Sequence, residues 1–588
     1  MELPLFFKLM KRLLTLISAL CLLASAHAGE VSPERVAAIA RGVLGDVTRG
    51  GDVVVAWDSS HFAQTRVELT APTFYVLTPQ CGPGFVIVSG DDATIPVLAY
   101  STEYYAPQRG ALPRNFESWL RYVDASVRYA RERGVKMNEA TAELWAEEYS
   151  PVGAVMLNTV RWSQVTPYNN FCPIDNGSHS LTGCTQTAMA IIMKHYGWPE
   201  RAKGVTEAYT TKYGLEVAAR DLNHAYDWDN MLETYVEGKY NDVEAAAMAT
   251  LMADLGHAFK ADYTANDTAA MPDMLSLYQN FSYSPASHIV TRNNNSDSYW
   301  KGVLRREIES GRPVFYAGYT SEWAGHAFVL DGVDDNDYFH VNWGWGGVYD
   351  GFFAIDGLML GEEYLFDTQH WAVLGMHPLR DGEIDNWIVL SSTGISVEPR
   401  EYKRGESFNI KSVSYSNFSQ LSFKGKIRVG LCDQSGELKS WVSEPFNVDL
   451  GVNYATSEQN ISAMINDDIE PGDRLCAFYQ SNTSDKWFRM YGSVESARDE
   501  VVVKYAPIGQ STSMSFDRAS GRLVVEYDDD VKSALYLLGE YVDSGVTITK
   551  GRMTIDTKYL SKGAEYTIYL VREAVEDKSI VFKLNEQI

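Results

Sequence analysis

At 588 residues the chain exceeds what one hydrophobic core usually organises, so three to five domains are expected. With 45% hydrophobic, 22% charged and 12% aromatic residues, and no Ser, Gln, Pro or Gly tract, nearly all of it should fold. A formal net charge of −26 with no basic cluster argues against a nucleic-acid partner, because a phosphate backbone would be repelled.

The first 28 residues read as an export signal. Lys8, Lys11 and Arg12 form a basic start, Leu13 to Ala26 an apolar run, and Ala26-His27-Ala28 a small-x-small site with cleavage expected before Gly29. The run is too short for the roughly 20 apolar residues that span a bilayer. Leu20 before Cys21 is too large for a lipoprotein signal. An exported protein is expected, secreted, periplasmic or cell-surface, without a membrane span.

Residues 29–150 read as a compact α+β unit. A helix is expected from Pro33 to Leu44, strands at Thr73 to Leu77, Gly84 to Ser89 and Pro96 to Tyr100, and a turn at Gly90-Asp91-Asp92. Phe116, Leu120, Val123 and Val127 have helical spacing within Asn115 to Arg133, which Gly134 stops. Residues 151–382 alternate helices with strands and hold every chemically suggestive motif. From about 386 the rhythm changes to short alternating strands, among them Lys426 to Cys432, Arg474 to Tyr479, Arg522 to Tyr527 and Tyr566 to Val571. Two immunoglobulin-like β-sandwich modules, 386–504 and 505–588, fit it.

Within the second segment, Leu181-Thr182-Gly183-Cys184 precedes a run in which Ala188, Ile191, Ile192 and His195 share a helical face. Thr182 is expected to cap the start, while Gly197 and Pro199 mark the end. Cys184 then lies in the first helical turn, where unpaired N–H groups favour a thiolate, and Gly183 leaves room for a substrate backbone. A lone cysteine is more often inert core. His326, in Gly325-His326-Ala327-Phe328-Val329, heads an apolar strand 142 residues after the cysteine (184 to 326), inside the interval that papain-like peptidases place between nucleophile and base. An imidazole in reach would take the thiol proton and later return it to the leaving amine. In Val341-Asn342-Trp343-Gly344-Trp345-Gly346-Gly347, Asn342 is expected to orient His326, with Trp343 and Trp345 shielding the pair from water. Gln164, in Trp162-Ser163-Gln164, is a candidate oxyanion donor beside the Cys184 N–H, although a surface glutamine is the plainer reading.

In order along the chain, Trp-x-Gln, Pro167-Tyr168-Asn169, Cys172-Pro173, Thr182-Gly183-Cys184, Thr187-Ala188-Met189-Ala190, Tyr226-Asp227-Trp228, Gly325 to Val329 and Val341 to Gly347 together resemble the streptopain family of cysteine peptidases, interpain-like enzymes included. The likeness covers roughly residues 60 to 380. It implies a papain-like fold, a Cys184–His326 dyad, Gln164 in the oxyanion site and substrate backbone held at Gly325. It also implies that 29–150, through Gly84 to Asp92, is a propeptide that folds over the cleft and inhibits it until proteolysis near residue 150. Thr185-Gln186 stand where relatives commonly have Val-Ala, and Thr264 to Met274 lacks a counterpart of a substrate-contacting serine, which leaves preference open. Asn342 is not at the papain spacing, so orientation falls either to its side chain or to backbone near Trp343.

Other features read as structural. His195 is about three turns from the nucleophile and packs. Asp331 to Asp337 lacks calcium-loop spacing and reads as a solvated hairpin turn, as does Asp528-Asp529-Asp530, while Gly344 to Gly347 lacks the ending of a phosphate loop. No cofactor or metal is expected. Of six cysteines, five outlast the signal; Cys81 and Cys172 are expected in a loop or buried, and Cys432 and Cys476 either pair or remain free. The sequence therefore predicts a secreted cysteine endopeptidase made as a zymogen, acting on protein or peptide substrates through an acyl-enzyme. Two alternatives stay beside it, a papain-fold transpeptidase or amidase and a catalytically idle surface-binding protein. The C-terminal modules are read as binding a cell surface, docking substrate or, in the last strands near Ile548 to Leu584, serving as a secretion signal for an outer-membrane exporter.

Overall fold

A computed structural model describes residues 29–583 except for short internal stretches, chiefly 49–51, 63–70, 147–152, 320–324, 356–369, 381–385, 398–404, 503–512 and 528–530. The expected signal segment, the maturation point near residue 150 and the Asp528 to Asp530 turn lie outside the described residues. The chain divides into two compact units, one ending at Trp387 and the other beginning at Ile388.

The first unit is organised by one large sheet that two stretches of sequence build together. Helix α1 (Pro33–Thr48) precedes strands β1 (Val53–Asp58), β2 (Phe74–Pro79), β3 (Phe85–Ser89) and β4 (Val97–Ser101). These form an antiparallel meander in which nearly every residue of β2, β3 and β4 is buried. Such strands read as continuous apolar runs because both faces are covered. Helix α2 (Arg114–Arg133) buries Phe116, Leu120, Val123 and Val127 on one face, and Gly134 ends it in the left-handed conformation.

The later stretch adds β5 (Ala154–Met156), helices α3 (Cys184–Tyr196) and α4 (Asp242–Ala258), then β6 (His288–Thr291) and helix α5 (Asp297–Glu309). Strands β7 (Val314–Tyr319), β8 (Gly325–Asp334), β9 (Phe339–Asn342), β10 (Gly351–Phe353) and β11 (Trp371–Leu374) complete it. Strand order is β1-β2-β3-β4-β10-β9-β8-β7-β11-β6, with β5 on β8, so β4 joins β10 and fuses the two stretches. Helix α3 packs against β8 and α4, burying Ala188 to Met193 in a core shared with Val329, Phe315 and Val373.

Two local expectations need correction. Gly183, not Thr182, is the residue flanking α3, and the Thr182 hydroxyl pairs with that of Thr187 at 2.8 Å. Asp331 and Asp334 lie in β8 and are buried, so only the residues after them form the hairpin turn. Asp331 faces His340 across the β8/β9 pair at 2.6 Å and also accepts the Thr159 hydroxyl, also at 2.6 Å. A buried carboxylate needs such partners, which a solvated turn would not supply.

The second unit is all-β. Strands Ile388–Ser391 and Ser407–Asn417 face a sheet containing Phe423–Cys432 and Arg474–Ser481 across one core. Strands Arg522–Glu526 and Arg552–Asp556 share a second core with Lys532–Leu537 and Glu565–Arg572. Cys432 and Cys476 are buried free thiols in neighbouring strands, hydrogen-bonded to each other.

Candidate active site

The start of α3 places Cys184 where strand β8 begins. Gly183 holds φ +91°, a left-handed value that L side chains avoid. A Cβ there would lie 2.5 Å from Gln186 Oε1 and 2.9 Å from the Thr268 carbonyl oxygen. A side chain at Gly183 would thus meet the protein's own Gln186 and Thr268, and glycine is needed for that close approach. Thr185 donates its hydroxyl to Ala270 O at 2.8 Å. Thr185 therefore ties the start of α3 to the 264–274 segment.

Burial raises the Cys184 thiol pKa, and the backbone N–H groups of Ala327 and Thr185 oppose that rise by donating toward the sulfur. Ala327 follows His326, so β8 delivers both an N–H and an imidazole to the end of the helix. Its register on β7 sets Ala327 opposite Ala317 and Gly325 opposite Tyr319. His326 is buried, which lowers its pKa to about 4, and Nε2–H donates to the Trp343 carbonyl at 2.9 Å. That bond fixes the neutral tautomer and leaves Nδ1 as the unprotonated nitrogen. Among the described residues no hydrogen bond joins Cys184 to His326.

Two indoles lie beside His326. The imidazole stacks on Trp345 at 4.9 Å and on Trp343 at 6.0 Å, and the two indoles stack at 5.1 Å. Of the two alternatives at this motif, backbone at Trp343 and not the Asn342 side chain bonds His326. Asn342 Nδ2 donates to Thr159 Oγ1 at 3.0 Å and Val160 O at 2.9 Å, so the side chain is spent away from His326. Its Oδ1 accepts the Gly344 N–H at 3.1 Å. That N–H belongs to the peptide whose carbonyl holds His326, so Asn342 fixes the peptide plane while the backbone contacts the ring.

Gln164 lies beside this site because its carbonyl accepts the Thr182 N–H at 3.2 Å. The residue is half-buried, and no described residue hydrogen-bonds its carboxamide. Gly325 heads β8 and is half-buried. Asp350 received no role from the sequence. It is buried, and its Oδ1 accepts the Trp343 N–H at 3.0 Å. The available signal was an acidic residue inside an otherwise aromatic and glycine-rich motif. Among the described residues, no three His, Cys, Asp or Glu side chains gather as metal ligands.

The N-terminal stretch reaches this site from behind. Phe116 of α2 packs on Trp343 at 5.8 Å, Tyr349 at 5.3 Å and Phe353 at 6.1 Å. The Tyr100 hydroxyl donates to Asp334 at 2.7 Å, and Tyr338 donates to Val97 O, also at 2.7 Å. These contacts grip the loop that carries the Trp343 carbonyl. Among the described residues, none from 29–150 hydrogen-bonds Cys184.

With that geometry established, comparison with known proteins is specific. The Peptidase C10 family profile matches residues 162–353, and the Spi protease inhibitor profile matches residues 30–127. Streptopain of Streptococcus pyogenes is 34% identical over 316 residues, which span 50% of this chain and 76% of streptopain. The thiol protease/hemagglutinin PrtT of Porphyromonas gingivalis is 27% identical over 335 residues, 54% of this chain and 38% of that protein. Among solved structures, a prointerpain A fragment from Prevotella intermedia is 27% identical, covering 53% of this chain and 98% of the fragment at a TM-score of 0.42.

Proposed function

The chain belongs to the C10 family of cysteine peptidases, and from that premise we propose that it hydrolyses peptide bonds with Cys184 as nucleophile and His326 as general base. The observation that carries this reading is the meeting of the α3 start with β8. Ala327 N–H is directed at Cys184, and the neighbouring His326 has Nε2–H committed to Trp343, which frees Nδ1 for the thiol proton.

In the proposed reaction Nδ1 takes the Cys184 proton and the thiolate adds to the scissile carbonyl. The Cys184 N–H and the uncommitted Gln164 carboxamide donate to the oxyanion. The tetrahedral intermediate collapses as the imidazolium protonates the leaving amine, giving the acyl-enzyme. Water, activated by His326, adds to the thioester carbonyl and releases the acid and the thiol. Trp343 and Trp345 keep bulk water from the imidazole, while Gly325 leaves the substrate backbone room at the head of β8.

The N-terminal unit, 29–150, is read as an inhibitory propeptide, 151–382 as the peptidase domain, and 386–504 and 505–588 as immunoglobulin-like modules of an exported zymogen. Burial raises the thiol pKa and lowers the imidazole pKa, so the pair rests as thiol and neutral ring. Removing the unit that packs on the Trp343 to Phe353 loop would admit solvent and substrate.

The test is to express residues 29–588 with and without Cys184→Ala and follow chain length by mass spectrometry and casein cleavage under reducing conditions. Shortening near residue 150 and casein cleavage by the cysteine form alone are expected. If both forms remain intact and inert after a second protease removes the N-terminal unit, the proposed dyad is wrong.

A further inference from the structure

We propose that Asp350 is a positioning residue for the reaction, holding the Trp343 backbone so that its carbonyl faces His326. The inference rests on the dyad reading above and adds a residue which that reading does not use.

Strands β9 and β10 form a hairpin whose register pairs Val341 with Gly351 and Phe339 with Phe353. Continued by two residues, the ladder would set Trp343 opposite Tyr349 and occupy its backbone groups in a regular pair. The chain does otherwise. Tyr349 adopts φ +67°, a left-handed value unusual for an aromatic residue, and its carbonyl accepts the Trp343 indole Nε1–H at 3.1 Å instead of the backbone N–H. The freed Trp343 N–H is taken by Asp350 Oδ1 at 3.0 Å, and the freed carbonyl turns to His326 Nε2 at 2.9 Å. A carboxylate thus replaces the missing ladder bond, and the imidazole receives the acceptor that the ladder would have consumed.

Asn342 secures the Gly344 side of the same carbonyl, so the Trp343 backbone is held on both sides. Asp350 also has an electrostatic setting that a neutral loop bond would not need. Burial pushes its pKa up to about 7, opposed by His340 of β9 and by the Trp343 N–H. Asp331 of β8 adds to the rise, and Arg161, on the segment before Gln164, counters it. Tyr104 faces it from the N-terminal unit. An ionised Asp350 favours the imidazolium of His326 through the Trp343 backbone that it holds. Losing it therefore moves the alkaline limb of activity, where the imidazolium gives up its proton, to lower pH.

The experiment compares wild type, Asp350→Asn and Asp350→Ala, each as the full chain after maturation, by kcat and KM against pH and by the pH dependence of Cys184 alkylation with iodoacetamide. Asp350→Ala is expected to lose ~10–100-fold in kcat, the range measured for residues that orient a catalytic ligand, with KM little changed. Its alkaline limb in kcat should move down by about one pH unit, while the onset of Cys184 alkylation, which follows the thiolate, should move to higher pH. Asp350→Asn keeps an acceptor oxygen and should recover most of kcat while retaining part of the pH shift. Thermal unfolding of each variant separates this from collapse of the fold. If the folded variants match wild type in kcat and alkaline limb, or lose only in KM, Asp350 does not position His326. An inert wild type whose Cys184 alkylates like a free thiol would instead overturn the dyad reading, so the two failures are distinguishable.

Discussion

The two halves of the large sheet are joined in different ways from the way each is built. Within the peptidase half, β7 and β8 pair over six residues, Val314 to Tyr319 against Gly325 to Leu330. At the junction, β4 and β10 pair through Tyr100 with Phe352 and Ala99 with Phe353, extended by the Ala354 N–H donating to Leu98 O at 3.1 Å. The backbone contributes little there, and side chains do the joining. Phe116 enters the aromatic cluster of Trp343, Tyr349 and Phe353, Tyr100 reaches the buried Asp334, and Arg161 pairs with Glu103 at 3.6 Å near the surface. A short strand junction sealed by packing is stable while intact, yet one half can be removed without tearing a long ladder from the other.

Three substitutions break the junction in decreasing order of effect, each best made on Cys184→Ala so that processing does not intervene. Phe116→Ala leaves a cavity among buried aromatics and is expected to cost ~3–5 kcal/mol in denaturant unfolding of the first unit. Tyr100→Phe strips a hydroxyl from the buried Asp334, which keeps the N–H groups of Tyr338 and Asn336, for a loss of about 1–3 kcal/mol. Glu103→Gln removes an exposed ion pair worth ~0–1 kcal/mol, and raising the salt concentration should erase even that difference. In the Cys184 form, the first two should also speed maturation, read as the half-time for appearance of the shortened chain. Were Glu103→Gln to equal Phe116→Ala in either measurement, packing would not be what seals the halves.

Burial alone does not mark a reactive thiol. It raises the pKa of Cys172 as well as that of Cys184, and Cys172 has Tyr263 beside it and the Arg220 charge nearby. Cys184 has three backbone N–H groups acting on the sulfur, its own and that of Thr185 from the helix start and that of Ala327 from a strand. These are positions in space, which explains why spacing in the chain singled out His326 but said nothing of Ala327.

Much of the architecture follows from local pattern. The α2 face of Phe116, Leu120, Val123 and Val127, the Gly134 stop, the α3 helix after Gly183 and the change to an all-β region near residue 388 depend on residue type and period, which act over a few positions. Cys184 and His326 stood out as candidates for another reason, since the motifs around each are long and ordered along the chain. What local pattern could not supply was which polar group meets which. The Asn342 amide turns to Thr159 and Val160, Asp331 is buried against His340, and Asp350 takes the Trp343 N–H. Each partner lies on another strand or across a turn, and each match depends on strand register and on Tyr349 leaving the ladder. The sequence by itself determined the elements and the reactive residue types; only the tertiary structure decided that a backbone carbonyl, held between Asn342 and Asp350, faces the histidine.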